Sequence, residues 1–400
     1  MIELKEKIAL AEQVALLDKC RITGLDLSDE LKIAGLTYDH LRYRNYQSHR
    51  SHLANFMPLS ELRHLPINVP SVSFFAGAGG MDIGFGHAGF SAVASVELIE
   101  QFCETLRLNA PEQIVIGPPF FSGNVKNHDE IAEVLLKLAD VTTPFEGVFH
   151  GGPPCQPFSI ASNQRFSKTD DNFKRKGFAD AEKGSLLLDY VWYIERFRPK
   201  VFVIENVPGL LELDNGSELS NALETLTSVG YKIAKPTILN AADYGVPQKR
   251  LRLFVVGVRD ANEFCFPKIN LFKTACFSLF QDTVDGLDSH VTRLHNAESV
   301  SRYMELNFGE RDKLGRVDRL DPFQPSKTVI AGGTKGGGRS HLHPYSPRTL
   351  SVRESARLQT FPDSYQFTGA HARQFTQVGN AVPPMLAFKL AEAIREQFFM

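Results

Sequence analysis

What this chain has little of narrows its class before any motif does. No stretch approaches the roughly 18 uninterrupted apolar residues of a membrane-crossing helix, and the amino terminus carries no signal-peptide pattern. No membrane association is therefore expected, and a cytoplasmic location is the default. The five cysteines, Cys20, Cys103, Cys155, Cys265 and Cys276, include no CxxC pair, which argues against both a zinc site and a disulfide framework. No metal is expected. Net charge is only −2, so overall basicity does not advertise a nucleic-acid partner. Any such surface would have to be a local basic patch, offset by acid elsewhere. What is present is ordinary for a globular protein, with 43% hydrophobic and 22% charged residues, and 400 residues leave room for roughly two or three domains.

Residues 1 to about 70 read as a helical extension. Leu4, Ile8, Ala11 and Ala15 share one face, with Leu10, Val14 and Leu17 beside it. Ser28 is placed to cap a second short helix that Gly35 ends, and Thr37 to cap a third carrying Arg42 and Arg44. Helix, glycine turn and basic helix would also suit a helix-turn-helix, but an extension packed on the main domain is the preferred reading.

The core begins at Ser71–Phe75, a short apolar strand running into Ala76-Gly77-Ala78-Gly79-Gly80. A helix from Met81 and a second strand at Ala92–Val96, ending on Glu97, complete a nucleotide-type unit. Glycines let backbone approach a ligand, and a carboxylate at the next strand's end can accept from ribose hydroxyls. Further on, Val148-Phe149-His150 leads into Gly151-Gly152-Pro153-Pro154-Cys155-Gln156-Pro157. Prolines on both sides stiffen the loop, and a thiol at a strand's carboxyl end suits a nucleophile. The bland alternative is a small apolar residue in a Pro-rich turn.

A polar run, Ser162 to Lys183, reads as a surface loop, followed by helical spacing at Leu186, Leu187, Tyr190, Val191, Ile194 and Phe197. Strand Val201–Ile204 then delivers Glu205, an acid whose burial is costly unless it is paired or functional. A helix around Glu218–Val229 and a strand Lys232–Leu239 precede Gln248-Lys249-Arg250-Leu251-Arg252 and the strand Leu253–Val258. Alternation puts Arg250 and Arg252 on one side of the backbone. Residues 261–348 show no sustained periodicity, yet Gly333–Arg357 holds five basic residues and two histidines against one acid. A helix at Ser351–Gln359 and a terminal helix with Leu386, Leu390 and Ile394 on one face close the chain, the latter expected to pack against the first strand.

The segments Phe75–Gly80, Pro-Pro-Cys-Gln at 153–156, Glu-Asn-Val at 205–207, Gln-x-Arg-x-Arg at 248–252 and Gln377–Pro384 resemble, in order, the motifs of the DNA cytosine-5 methyltransferases of bacterial restriction-modification type. The likeness runs from Ser71 to the end, interrupted at 261–348. It implies an α/β fold, a Rossmann-like doubly wound sheet dependent on S-adenosylmethionine. Residues 71–260 and 349–400 would form a discontinuous catalytic domain, 261–348 a smaller irregular target-recognition domain, and 1–70 the helical extension. Cofactor contacts would come from Phe75, Ala76, Gly77, Gly79, Gly80, Glu97, Pro154, Leu186, Asn380 and Ala381. Asn124 would stand where the family usually has an adenine-binding aspartate.

Cys155 would be the covalent catalyst, with Glu205, Arg250, Arg252 and Gln248 around the base, and the polar run after it the loop that closes over DNA. Lys335, Arg339, His341, His343 and Arg348 are the candidate DNA contacts, lying among glycines that let a loop enter a groove. The expected partner is double-stranded DNA, bound by a monomer, with a cognate restriction endonuclease. Two other readings compete. A tRNA methyltransferase of the same family would carry a cysteine signature that Cys276-Phe277-Ser278 matches only in part. A non-catalytic DNA-binding regulator would have no use for Cys155, Glu205 and both arginines.

Overall fold

The computed structural model describes residues 6–45, 69–154, 186–280, 284–315, 317–331 and 341–400, with Pro58 and Pro66. The chain divides into two compact units. A sheet unit takes Leu59–Gly245, Arg250–Leu271 and Ala381–Met400, and a loop-rich unit takes Met1–Pro58, Val246–Lys249 and Phe272–Asn380.

Two helices open the loop-rich unit. Helix α1 (Leu10–Thr23) ends at Gly24, whose left-handed φ of 72° lets its N–H close on the Cys20 carbonyl. Helix α2 (Leu27–Ile33) is capped by Asp26, two residues earlier than Ser28 would have done it, because the Asp26 carboxylate accepts from the Ser28 and Asp29 amides. Thr37 caps only a single 3-10 turn, Tyr38–His40.

The sheet unit follows in chain order as β1 (Val69–Phe74), α3 (Gly80–His87), β2 (Phe90–Val96), α4 (Glu100–Asn109), β3 (Ile114–Ile116), α5 (His128–Lys137), β4 (Val148–Gly151), α6 (Leu186–Phe197), β5 (Val201–Asn206), α7 (Ser217–Ser228), β6 (Tyr231–Ile233), β7 (Thr237–Asn240) and β8 (Leu251–Arg259). These strands make one eight-stranded sheet in the order β3-β2-β1-β4-β5-β8-β6, with β7 also on β8. Pairing is parallel from β3 through β5, and β8 runs antiparallel to β5, β6 and β7. Strands β4 and β5 are buried almost throughout, as Val148, Phe149 and the run Val201–Ile204 require in a parallel sheet covered on both faces. The single strand expected at 232–239 is interrupted. Between the pairs Ile233↔Gly257 and Thr237↔Phe254 the edge chain carries one more residue than β8, and Pro236, with no N–H to give, lies in that irregularity.

The rest of the loop-rich unit has little regular structure: α8 (Ala297–Tyr303), a two-residue parallel pair β9 (Asp318–Arg319) and β10 (His341–Leu342), α9 (Val352–Leu358) and α10 (His371–Asn380). The chain then re-enters the sheet unit with α11 (Pro384–Phe398).

Three expectations need correction here. The return to the sheet unit falls at Ala381, not at residue 349, because α9 and α10 pack on each other and α9's charged side chains bond inside the loop-rich unit. The N-terminal helices do not extend the sheet unit: Leu17, Cys20, Leu27, Leu31, Tyr38 and Leu41 form one apolar cluster with Ala297, Val300 and Met304. Helix α11 packs on α3 rather than on the first strand. A Cβ on Gly84 would collide with the Pro384 carbonyl and come within 2.5 Å of the Phe388 amide, so this helix crossing needs glycine.

Candidate active site

The sheet order reverses between β1 and β4, and a crevice at the carboxyl ends of those strands is where an open α/β sheet binds ligands. The chain leaves β1 through Phe75 (φ 54°), Gly77 (φ 57°) and Gly79 (φ 71°), three left-handed residues in five. That path turns the backbone sharply into α3, whose first residue, Gly80, lies under Ala381 and the Val382 carbonyl. Among the described residues a Cβ added to Gly77 would meet nothing within 4 Å, so the loop presents bare backbone there. Glu97, just after β2, ties this loop down. One carboxylate oxygen accepts from the Gly77 amide at 2.8 Å and the other from Ile99 at 2.8 Å. Burial pushes its pKa up while these amides pull the other way. The Leu98 amide adds a third backbone donor to this carboxylate.

The exit of β3 passes so close beneath Glu97 that a Cβ on Gly117 or Gly123 would strike the Glu97 carbonyl. Arg107 holds this segment by donating to the Pro118 and Gly117 carbonyls at 2.7 and 2.8 Å, a role the sequence did not suggest. Asn124 shapes its own turn: its side-chain oxygen accepts from Lys126 at 3.1 Å and its carbonyl from Asn127 at 2.8 Å. From α6, the Tyr193 hydroxyl donates to the Val125 carbonyl at 2.8 Å, while Leu186 starts that helix partly buried against the core.

Beyond β4, Gly152 runs against β5. A Cβ there would sit 2.5 Å from a Glu205 carboxylate oxygen. Asn206 Nδ2 donates to the Pro153 carbonyl at 2.9 Å while its Oδ1 accepts from Val207 at 2.8 Å, so one amide fixes the loop that ends, among the described residues, at Pro154. Cys155 and the polar run 162–183 lie outside the described residues, as do Lys335 and Arg339.

Glu205 Oε1 meets Arg252 Nε at 2.8 Å, both side chains nearly buried. Burial raises the Glu205 pKa, against the pull of Arg252 and then Arg250. The same burial lowers both arginines, Arg250 further because Arg252 is a like charge beside it. A pair in which each partner resists ionisation is one where desolvation outweighs mutual attraction, and such a carboxyl is poised to hold a proton.

Four other assignments fare differently. Gln248 is fully buried: its Nε2 donates to the Leu358 carbonyl and to Gln359 Oε1, and its Oε1 accepts from Val329. It pins residues 246–249 inside the loop-rich unit and reads as structural rather than catalytic. Arg348, 1% exposed, directs its guanidinium at Glu354, Asp39 and the Thr349 carbonyl, so it has no donor left for a base. His343 is buried with Nδ1 accepting two backbone amides, from Tyr345 and Ser346. His341 is buried with Nε2 against the Lys327 carbonyl. The basic character of this stretch, read as a groove-facing surface, is interior wiring at these three positions. Asn380 is exposed at the end of α10.

The family described as C-5 cytosine-specific DNA methylase matches residues 69–396. Among curated proteins, Type II methyltransferase M.Eco47II of Escherichia coli is 31% identical to this chain, covering 98% of it and 96% of that protein. Type II methyltransferase M1.HphI of Haemophilus parahaemolyticus is also 31% identical, over 81% of this chain and 86% of its own length. A solved structure described as a DNA modification methyltransferase encoded within an E. coli prophage superposes with a TM-score of 0.67 at 23% identity, covering 82% of this chain and 99% of that one. The Entamoeba histolytica methyltransferase EhMeth follows the same fold with a TM-score of 0.58 at 15% identity, over 82% and 98% of the two chains. Among the described residues no helix is long and apolar enough to cross a membrane.

Proposed function

Since this chain belongs to the C-5 cytosine-specific DNA methylase family and is a DNA (cytosine-5-)-methyltransferase, we propose that it modifies one double-stranded sequence as the protective partner of a restriction endonuclease, through a covalent adduct at Cys155. Carbon 5 of cytosine is a poor nucleophile until a thiolate adds to carbon 6, and Cys155 supplies that thiolate; after carbon 5 takes the methyl group, a base removes the carbon-5 proton and the C6–S bond breaks to release Cys155. The base must leave the duplex stack to be reached. Glu205, kept prone to protonation by burial, hydrogen-bonds ring N3 and the 4-amino group as charge develops there, and Arg252 orients the Glu205 carboxylate.

S-adenosylmethionine, when bound, supplies an electrophilic methyl group. The bare backbone at Gly77 and the carboxylate of Glu97 suit such a group, with Phe75, Ala76, Gly79, Gly80, Pro154, Leu186, Asn380 and Ala381 as further contacts and Asn124 toward the adenine. Sequence choice is assigned to 261–348, where Lys335 and Arg339 remain the candidate readers.

The observation that carries this reading is the contact of Gly152 with the Glu205 carboxylate, with Asn206 fixing Pro153. It sets the chain that enters Cys155 against the acid that serves the same base. The test is transfer of labelled methyl to duplex DNA and to tRNA by wild type and by Cys155→Ser. Transfer to DNA by wild type alone is expected. Transfer to tRNA instead would favour the other branch of the family, duplex binding without transfer a regulator, and an active Cys155→Ser would remove the adduct.

A further inference from the structure

The N-terminal segment carries no motif, yet it holds the most densely bonded part of the loop-rich unit. Arg348 donates to Asp39 Oδ1 through Nε at 2.6 Å and to Glu354 through Nη1 and Nη2 at 2.8 and 2.7 Å. The Tyr43 hydroxyl donates to the His343 carbonyl at 2.8 Å. The Tyr43 ring lies 3.5 Å from the Arg319 guanidinium, which donates to the Pro344 carbonyl at 3.0 and 2.7 Å. Lys7 reaches Ser346 Oγ at 2.8 Å and also bonds the Asp39 carbonyl. The Tyr38 hydroxyl donates to the His295 carbonyl, and the His295 ring accepts from the Thr349 amide. Residues 343 to 349 are thus fixed, directly or through one intermediary, by side chains from Lys7, Tyr38, Asp39 and Tyr43.

Asp39 is not needed to neutralise Arg348, which Glu354 already pairs in a bidentate fork. A second carboxylate on the same guanidinium adds direction instead: Asp39 holds the Nε–Nη2 edge of Arg348 while Glu354 holds the Nη1–Nη2 end, so the side chain that leaves the turn after β10 is fixed from two directions.

We propose that residues 7–45 are a positioning element for DNA engagement, with Asp39 acting through Arg348 to place the 343–349 turn of the recognition region. This rests on the assignment of sequence choice to 261–348 made above. The segment is then a working part of the reader rather than an appendage of the catalytic sheet.

Steady-state methyl transfer to duplex DNA, mobility shift on the same duplex, and S-adenosylmethionine calorimetry would be compared for full-length wild type, Asp39→Asn, Asp39→Glu and Tyr43→Phe. Asp39→Asn should raise KM and the duplex dissociation constant about tenfold, with kcat and cofactor affinity within about twofold. Asp39→Glu should restore most of the loss. Tyr43→Phe, which keeps the ring over Arg319 and removes one hydrogen bond, should move KM the same way by less. Unchanged KM in Asp39→Asn overturns the proposal. So does a parallel fall in kcat, DNA affinity and cofactor affinity without rescue by glutamate, the mark of general destabilisation. A wild-type protein that neither binds nor methylates the duplex overturns the recognition assignment itself, a result seen in the control before any variant is compared.

Discussion

In the sheet unit, the buried or nearly buried acids and the amide around the site sit where strands stop. Glu97 follows β2, Glu205 and Asn206 close β5, and Arg250 and Arg252 sit at the start of β8. In the loop-rich unit, buried charge is distributed through the interior. Arg353 donates to the carbonyls of Asp288, Pro362 and Tyr365, Arg319 to those of Leu306 and Pro344, and Arg357 to Leu279 while pairing with Asp363. A sheet satisfies its own backbone through its ladders, which leaves its strand ends free to carry charge. A region with little regular structure leaves carbonyls unpaired, and each must find a donor or lose stability. Arginine, with five N–H groups in a rigid fork, can serve three loops at once. In the loop-rich unit these arginines are scaffolding, the part Arg107 also plays in the sheet unit, whereas Arg250 and Arg252 stand beside Glu205.

Breaking the comparison in the sheet unit should cost activity and little else. Glu205→Gln cannot supply a proton to N3 and should lower kcat by at least about 10²-fold. Thermal unfolding should be little changed, because the substitution also relieves the cost of burying a carboxylate. A variant that instead melted early with kcat intact would make Glu205 structural.

The reverse holds for Arg353→Met. It leaves three carbonyls without their donor at nearly constant volume and should destabilise the loop-rich unit by about 2 kcal/mol, within the range of 1–3 for an orphaned buried group. Differential scanning calorimetry should show the loss, while cofactor binding by the sheet unit persists.

The smallest effect comes from pH. Burial, with Arg348 next, lowers His343 to about 3 and His295 to about 4, and burial lowers His290 as well. The unfolded chain takes up these protons near the ordinary value of 6.5, which the folded unit resists. The resulting stability is complete above that value and is lost as pH falls toward the depressed folded pKa values, by about 1 kcal/mol per histidine per pH unit. In the sheet unit His150 acts in the same direction. Glu97 and Glu205 act oppositely, since burial raises both and acid relieves that cost. Melting curves at about pH 7 and about pH 5 should therefore show the loop-rich unit giving way first. Equal shifts in both would remove the distinction.

The sheet unit was largely legible because its strands are apolar runs that stop at glycine, proline or acid, and because its site residues sit at those stops. Helices α4 and α5 were not anticipated: Ile99, before α4, gives no starting signal, and Asn127, before α5, is a favoured capping residue whose side chain makes no cap bond. The loop-rich unit was misread where arginines looked outward in composition but turn inward in space. Nothing local in Arg348 announces Asp39, some three hundred positions earlier, as its partner. The motif Gln-x-Arg-x-Arg was recognised as one piece although its first residue packs in one unit and its last in the other. Long-range pairing of this kind leaves no periodicity to read.

The seat of α11 on the glycine face of α3 has a consequence for synthesis. Residues 80–87 emerge from a ribosome roughly three hundred residues before 384–398, and the crossing at Gly84 cannot close until the later helix is made. Arg348 must likewise reach back to Asp39. The two units are interleaved along the chain like the strands of a braid, so no single cut separates them into autonomous halves. Folding of either is expected to finish late, and fragments ending before residue 380 should leave the apolar seat of α3 exposed to aggregation.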